Sequence, residues 1–420
     1  MAGFRTERLV DIVEVKGGKR LPANANLVST PTSHPYIRGR DIRDGKITFD
    51  DPMYVLDDDF EKIRRYTVDS GDVCITIVGN IGDVGITPPN LHRASLTENA
   101  VKLVNLREDF DARFLMYALL TPDAQSQMKL SAAGAAQPKL GIYKVNEIKV
   151  SAPPLPVQRR IAGILSAYDE LMENSQRRIR LLEAMARALY REWFVHFRFP
   201  GHEKHPRVAS PLGDIPQGWE VKRIGEVADT FRGRSYRSVD LAEEGGMPFL
   251  NLKCLDRDGG FRRSGLKRYT GEYKSSHVAK KGDIVMGVTD MTQERRIVAR
   301  AALVPSLDKE FGIASMDLVR IVPKPPMPKA FLYSFLRYSS FADEVKQHAN
   351  GANVLHLAPE RITDFQFAVP SADLMRGFAD FVAPTLEQMD TLENKIENLL
   401  RTRDLLLPRL LSGQVEIRTN

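Results

Sequence analysis

The chain is 420 residues long, 43% hydrophobic and 27% charged. That balance suits two or three globular domains and excludes a wholly disordered protein. Its 60 Lys and Arg against 54 Asp and Glu give a formal charge of +6, an excess that favours a polyanionic partner without naming one.

No apolar run approaches the ~18 residues of a membrane span, so no membrane partner is expected. The first residues are polar and lack a signal peptide's apolar core, which predicts a cytoplasmic protein. Cys74 and Cys254 are the only cysteines. They exclude a disulfide framework and a cysteine-rich zinc site, and both read as small buried apolar residues.

In chain order, the first predicted loops carry Lys16, Lys19 and Arg20, then Arg38, Arg40 and Arg43, then Lys62, Arg64 and Arg65. Gly17-Gly18-Lys19-Arg20 is not a phosphate loop, because it lacks the upstream glycine and the Ser/Thr that would meet magnesium. Ser70-Gly71-Asp72-Val73-Cys74 reads as a turn entering a β-rich run. A helix is predicted from about Phe114 to Met128, then a polar loop and a short strand ending at Pro153-Pro154. The period then becomes helical. Ile161, Ile164, Tyr168, Leu171, Ser175, Leu182, Met185 and Leu189 recur at steps of three and four, widened by Leu165, Met172, Ile179 and Ala186. Phe199 to Trp219, rich in Pro, Gly and His and without periodicity, reads as a linker, with His202 and His205 as solvated side chains.

The pattern then starts again. Lys281-Gly282-Asp283-Ile284-Val285 resembles the earlier Gly-Asp turn, Phe331-Leu332-Tyr333 resembles Phe114-Leu115-Met116-Tyr117, and Gly351-Ala352 matches Gly134-Ala135. Leu357, Pro370 and Phe378-Ala379 match Leu140, Pro153 and Ile161-Ala162 at the same offset. Phe381, Leu392, Leu399 and Leu406 continue the helical register, with Val382, Met389 and Ile396 beside them. An ordered series at nearly constant offset is a duplication, in units too long for a solenoid. Apolar residues every 3.5 positions in both copies suit a coiled-coil seam between them. Pro384 is expected to divide the second stretch into a short helix and a long one.

The expected fold is α+β: two similar mixed α/β domains joined by long helices that form an antiparallel coiled coil, with an internal pseudo-twofold repeat. The boundaries are residues 1–152 for the first domain, 153–199 for its helical region and 200–216 for the linker. The second domain takes 217–370, and its helical region 371–416.

Arg-rich loops suit phosphate contacts and bidentate guanine contacts, and neighbouring amides can read adenine edges. The candidate DNA-binding residues are therefore Lys19, Arg20, Arg38, Arg40, Asn80, Gln137 and Lys139 in the first copy. In the second they are Arg232, Arg234, Arg237, Arg262, Arg263, Arg295, Arg296 and Asn353. Two rival readings differ in class. Pro122-Asp123 with Glu147-Ile148-Lys149 fits a loose metal-dependent nuclease spacing in which Asp123 and Glu147 hold the ion and Lys149 assists water. Thr121-Pro122-Asp123 also reads as a plain helix start. The other rival is a coiled-coil scaffold that binds no nucleic acid.

Four stretches carry a family likeness. Pro153-Pro154-Leu155-Pro156-Val157-Gln158-Arg159-Arg160-Ile161-Ala162 and Leu189-Tyr190-Arg191-Glu192-Trp193-Phe194-Val195-His196-Phe197-Arg198-Phe199-Pro200-Gly201 resemble the two ends of the central region in the specificity subunit of type I restriction-modification enzymes. Ile215-Pro216-Gln217-Gly218-Trp219 resembles the start of the second target-recognition domain, and Leu407-Pro408-Arg409-Leu410-Leu411-Ser412-Gly413 the C-terminal signature. The resemblance implies a non-catalytic subunit that binds double-stranded DNA, each recognition domain reading half of a split target. It also implies two modification (methyltransferase) subunits on the helical regions. Those subunits carry S-adenosylmethionine, and restriction subunits add ATP- and magnesium-dependent translocation and cleavage. No cofactor is expected in this chain. Trp193, Phe194 and Phe197 are the expected partner-binding aromatics.

Overall fold

The computed structural model describes residues 4–132 and 138–415. They form two compact units: Met1–Glu173 with Glu397–Asn420, and Asn174–Ile396. Each unit takes one set of strands and short helices together with part of both long helices.

The first unit is built on a six-stranded sheet. Its order is Glu14–Gly17, Ala100–Val104, Val73–Thr76, Val84–Ile86, Gly45–Ile47 and Ile42–Arg43. The second unit repeats the first four positions as Ala228–Arg232, Leu318–Pro323, Ile284–Gly287 and Ala301–Leu303. An outlying pair recurs as well: Thr6–Arg8 with Lys149–Ser151, and Glu220–Arg223 with Gln366–Val369. The copies differ beyond the shared strands. The first unit adds two strands to its sheet and has a separate parallel pair, Tyr36–Ile37 with Ser95–Leu96, where the second unit builds a five-stranded sheet from Leu241–Ala242, Lys267–Tyr269, Met247–Leu250, Phe311–Ala314 and Val278–Lys280.

The repeated Gly-Asp turn has a physical reason. Gly71 and Gly282 sit at φ +92° and +77°, where a side chain would be strained. The next carboxylate closes the turn: Asp72 Oδ2 accepts from the Asp69 N–H at 2.9 Å, and Asp283 Oδ2 from the Lys280 N–H at 3.0 Å. Each also faces a cation on the paired strand, Lys102 and Arg320, both at 3.7 Å. Cys74 and Val285, opposite those cations in register, are fully buried. Cys254 is buried too, and burial pushes the Cys74 thiol up to about 12 and the Cys254 thiol up to about 11. Both behave as core residues.

The helix expected from Phe114 to Met128 is two, Ala112–Leu119 and Pro122–Ala132, with Thr121 and Pro122 at the break. The second copy breaks likewise between Lys329–Tyr338 and Phe341–Val345.

The long helices are α1, Leu155–Tyr190, and α2, Ala372–Leu411. Contrary to expectation, Pro384 does not divide α2. Pro384 is exposed and flanked by the buried Val382 and the part-buried Leu386, so packing on both sides offsets the one hydrogen bond that proline removes. The helices run antiparallel in each unit. In the first, Ile161, Ala162 and Leu165 share a core with Leu407, Leu410 and Leu411. Asp169 and Arg403 pair at 2.7 Å, with the Tyr117 hydroxyl donating to Asp169. In the second, Tyr190 and Phe194 meet Phe378 at ring distances of 6.1 and 4.9 Å.

Each domain is also tied to the helix that follows it, at equivalent places. Lys46 reaches Glu173 on α1 at 3.1 Å, and Arg263 reaches Asp390 on α2 at 2.7 Å. The start of α1 is fixed by the buried Gln158, whose amide donates to the Asp109 and Pro153 carbonyls and accepts from the Asp111 N–H.

After α1 comes one wide turn, Arg191–Val195, and then Phe197 at φ +58°. The expected linker is structured: Arg207–Val208 pairs with Ile215–Pro216, and Phe199, Ile215 and Trp219 are core residues. This corrects the reading of Phe194 as part of a free aromatic surface. Phe194 is buried against Phe331 and Trp219, at 4.9 and 6.0 Å. Trp193 and Phe197 are half-buried and pack on the same core. A ring buried as Phe194 is cannot also fill a partner's pocket.

Candidate nucleic-acid interface

The loops at one end of each sheet gather residues far apart in sequence, and they do so identically in both copies. The seat is a glycine pressed against a neighbouring chain. The Gly18 N–H donates to the Ala100 carbonyl at 3.0 Å and the Lys19 N–H to Leu96 at 2.9 Å. In the second unit, the Gly233 N–H donates to Leu318 at 3.0 Å and the Arg234 N–H to Ala314 at 2.7 Å. A Cβ at Gly18 would lie 2.0 Å from the Thr97 carbonyl oxygen, and one at Gly233 2.1 Å from that of Ser315. Only glycine allows this approach, and each seat presents a cation next, Lys19 or Arg234.

Two further loops join it. The Ile77 N–H donates to Asn99, and Leu140 donates back to Ile77; Val288 donates to Asp317, and Leu357 to Val288. Lys139 is bridged to Val78 beside the Asn80 turn. The first unit therefore brings together Lys19, Arg20, Asn80 and Lys139, all exposed. Lys19 lies 5.6 Å over the Tyr66 ring, and Arg20 bonds Glu98 at 2.8 Å. Gln137 lies outside the described residues.

In the second unit, Arg232 bonds the Met316 carbonyl at 3.2 Å, and Arg234 the Tyr269 hydroxyl at 3.5 Å. Arg237 is 81% exposed and faces Asp240 at 3.6 Å. Burial, then the charges of Arg234 and Lys274, hold His277 below the usual imidazole range. The neighbouring loop brings Arg295, Arg296 and, across from it, Asn353. Arg296 and Asn353 are exposed. Arg295 is half-buried and braces the loop through Gln347 Oε1 at 3.0 Å.

Other candidates serve the fold. Arg38 is only 17% exposed and grips Asp41 with two nitrogens at 2.9 and 3.0 Å; its neighbour Arg40, exposed, shares Asp51 with it. Arg263, also 17% exposed, spends its guanidinium on Asp390 and on the Ser306 carbonyl at 2.7 Å. Both guanidiniums are largely withdrawn from solvent and committed to groups of the fold. Arg262 sits on the same turn, exposed, with its Nε on the Lys253 carbonyl at 2.8 Å.

The residues of the nuclease trio have other partners. Asp123 accepts from Gln127 at 3.0 Å at its helix start, Glu147 pairs with Arg8 at 3.3 Å, and Lys149 meets Gln127 through its main chain. Among the described residues, no group of three His, Cys, Asp or Glu is placed to hold a metal, and no helix is long and apolar enough to cross a membrane.

The residues missed in the sequence are the glycine seats and their neighbours Thr97, Ser315, Asp317 and Tyr269. The Gly-cation pair at 18–19 and 233–234 was the available signal. The flanking sequences differ too much for the eye to align them.

Comparison with known proteins agrees with this architecture. The family profile described as type I restriction modification DNA specificity domain matches residues 1–184 and 216–401. The specificity subunit of type I restriction enzyme MjaVIII from Methanocaldococcus jannaschii is 23% identical, over 98% of this chain and 92% of that protein. The MjaIX specificity subunit from the same organism is 23% identical over 83% and 78%. The HindI specificity subunit from Haemophilus influenzae is 20% identical over 72% and 77%. A solved S subunit of a type I restriction-modification system from M. genitalium superposes with a TM-score of 0.62 at 16% identity, covering 99% of this chain and 97% of that one. Two matched repeats span most of the sequence and coincide with the two glycine-seated domains, so the chain belongs to the type I restriction-modification DNA specificity family and is a specificity subunit.

Proposed function

We propose that each unit reads one half of a split, non-palindromic DNA target, and that the helices set the gap between the halves and dock the modification subunits. The observation that carries this reading is the duplicated seat, Gly18-Lys19 and Gly233-Arg234. It pairs a shared frame with surrounding loops that differ, as two readers of different bases require. Arg232, Arg234, Arg237 and Arg296 supply phosphate or guanine contacts, Lys19 and Lys139 phosphate contacts, and Asn80 and Asn353 adenine contacts. This chain supplies address and grip. Flipping and methylating an adenine falls to the modification subunits with their S-adenosylmethionine, and cleavage to restriction subunits.

The docking face is the solvent side of α1 in the second unit. There Arg180, Arg187, Arg191 and His196 line a shallow groove with Ala184, Ala188, Glu183 and Glu192, the two carboxylates being paired with Arg337 and Arg198. It suits an acidic surface on a modification subunit, with the accessible edges of Trp193 and Phe197 beside it. As a ruler, α2, with 40 residues, extends about 60 Å and α1, with 36, about 54 Å at ~1.5 Å per residue. Either exceeds the ~34–36 Å of one duplex turn.

The test replaces residues 217–370 with the matching region of another specificity subunit and sequences the methylated sites of cells holding the chimera and its modification subunits. One half of the target should change while the other stays. Change in both halves, or in neither, would overturn the assignment. The purified chain alone should neither methylate nor cut DNA; magnesium-dependent cutting abolished by Asp123→Ala would favour the nuclease reading.

A further inference from the structure

The two units differ in one turn beside the glycine seat. In the first unit, Gly79-Asn80-Ile81-Gly82 is tight, with the Gly82 N–H bonded back to Thr76. In the second unit, the corresponding chain extends into a loop, and its base is a single buried carboxylate. Asp290 is 3% exposed. Its Oδ1 accepts from the Thr292 N–H at 2.8 Å and the Thr292 hydroxyl at 2.9 Å, and its Oδ2 accepts from the Ile297 N–H at 2.9 Å. Both ends of residues 291–296 are therefore held by one side chain. The flanks are braced by Gln293 on the Ala352 carbonyl at 3.2 Å and by Arg295 on Gln347. The neighbouring Thr289 hydroxyl bonds Asp317, which follows the Arg234 seat at 315–317.

This construction leaves one apolar side chain exposed where the loop leaves its base. Met291 is 78% exposed, in a loop whose other residues through Arg296 are polar or charged. Exposure of a long apolar side chain gains the folded chain nothing, whereas a braced loop lowers the ordering cost of binding. Arg295 and Arg296 against the one carboxylate of the loop, Glu294, leave it net positive and favour a polyanion. The apolar feature that duplex DNA presents in its major groove is the thymine methyl group.

We propose that Met291 reads a thymine by packing on its methyl group, and so determines specificity in the half-target of the second unit. This rests on the reading of the chain as a DNA reader. In the first unit, Asn80 occupies the turn, so the two halves are read there by different chemistry.

The test uses the complex with its modification subunits and its target, identified by sequencing methylated sites. Each thymine in the target is replaced singly by deoxyuridine, which lacks the methyl group, and binding is measured for wild type, Met291→Leu and Met291→Ala. Wild type and Met291→Leu should lose about fourfold at one position, the factor for leaving one methyl group undesolvated. Met291→Ala should bind the thymine target more weakly and no longer distinguish deoxyuridine there. If Met291→Ala responds to every replacement as wild type does, or wild type binds its target tightly yet ignores all replacements, the inference is overturned while DNA reading stands. If wild type binds the target no better than mixed DNA, the underlying reading fails and takes the inference with it.

Discussion

Neutralising Arg232, Arg234 and Arg237 together should separate the arginines that grip DNA from those that hold the fold. Arg232 and Arg234 spend one hydrogen bond each on neutral oxygens, at 3.2 and 3.5 Å, and Arg237 is 81% exposed. All three retain charge for a phosphate. The logarithm of affinity falls by about 0.9 per phosphate contact for each tenfold rise in salt. If all three contact phosphate, the triple alanine variant should lose up to about 2.7 from that slope. A residue that reads guanine instead leaves the slope alone and costs about 1–3 kcal/mol at one base pair. Arg263→Ala is the control. Its guanidinium is committed to Asp390 and Ser306 at 2.7 Å, so it should lose about 2–4 kcal/mol of stability with an unchanged salt slope. Fluorescence anisotropy at several salt concentrations, beside urea unfolding, reads both quantities. An unchanged slope and affinity in the triple variant, or a lowered slope at full stability in Arg263→Ala, would refute the sorting.

Four further outcomes are expected. Burial, aided by Asp390 and Glu183 against the opposing Arg263, pushes Glu393 from its usual 4.5 up to about 7. A raised acid pKa penalises the folded state increasingly from pH 4.5 and fully above 7, so Glu393→Gln should stabilise by about 1–2 kcal/mol at pH 8, discounted because a third of the side chain meets solvent; it should change little at pH 5, and an equal effect at both pH values in urea unfolding would contradict this. Arg403→Ala strands the Asp169 carboxylate, 14% exposed, and should cost about 3–5 kcal/mol, with Asp169→Ala on top adding far less; additive losses in a double-mutant cycle would remove the coupling. Arg180→Glu with Arg191→Glu should weaken assembly with modification subunits at unchanged stability, read by analytical ultracentrifugation; full assembly would exclude that face. A heptad inserted between Glu173 and Asn174 and another between Ile396 and Glu397 lengthen both helices by about 10 Å, so the gap in the methylated motif should grow by about three base pairs with both halves unchanged; an active variant with its original gap would show that the helices are not the ruler.

The duplication was legible because the residues that repeat are those with backbone or core duties. Gly71-Asp72 and Gly282-Asp283 close a turn and meet a cross-strand cation, and the α1 and α2 stripes fill two cores. Coiled-coil periodicity was equally visible, but periodicity alone could not say that α2 runs through Pro384, since tertiary packing decided it. The arginines were the least legible. Composition does not distinguish Arg263, whose partner Asp390 lies far along the chain, from Arg232, whose guanidinium bonds the Met316 carbonyl. The aromatics near Trp193 misled for a related reason. A hydrophobic run in a signature can face a partner or its own core, and here Phe194 faces Phe331 and Phe378. Asp290 and Met291 gave no sequence signal, because a buried carboxylate and an exposed neighbour are properties of a folded loop.

The most direct measurement is single-molecule sequencing of methylated DNA from cells carrying this chain with its modification subunits, and from cells lacking it. Two fixed, unrelated half-targets at one constant separation, modified only when the chain is present, are the expected result. A continuous or palindromic motif, or modification that persists without the chain, would contradict the claim that two different readers are held apart on one subunit.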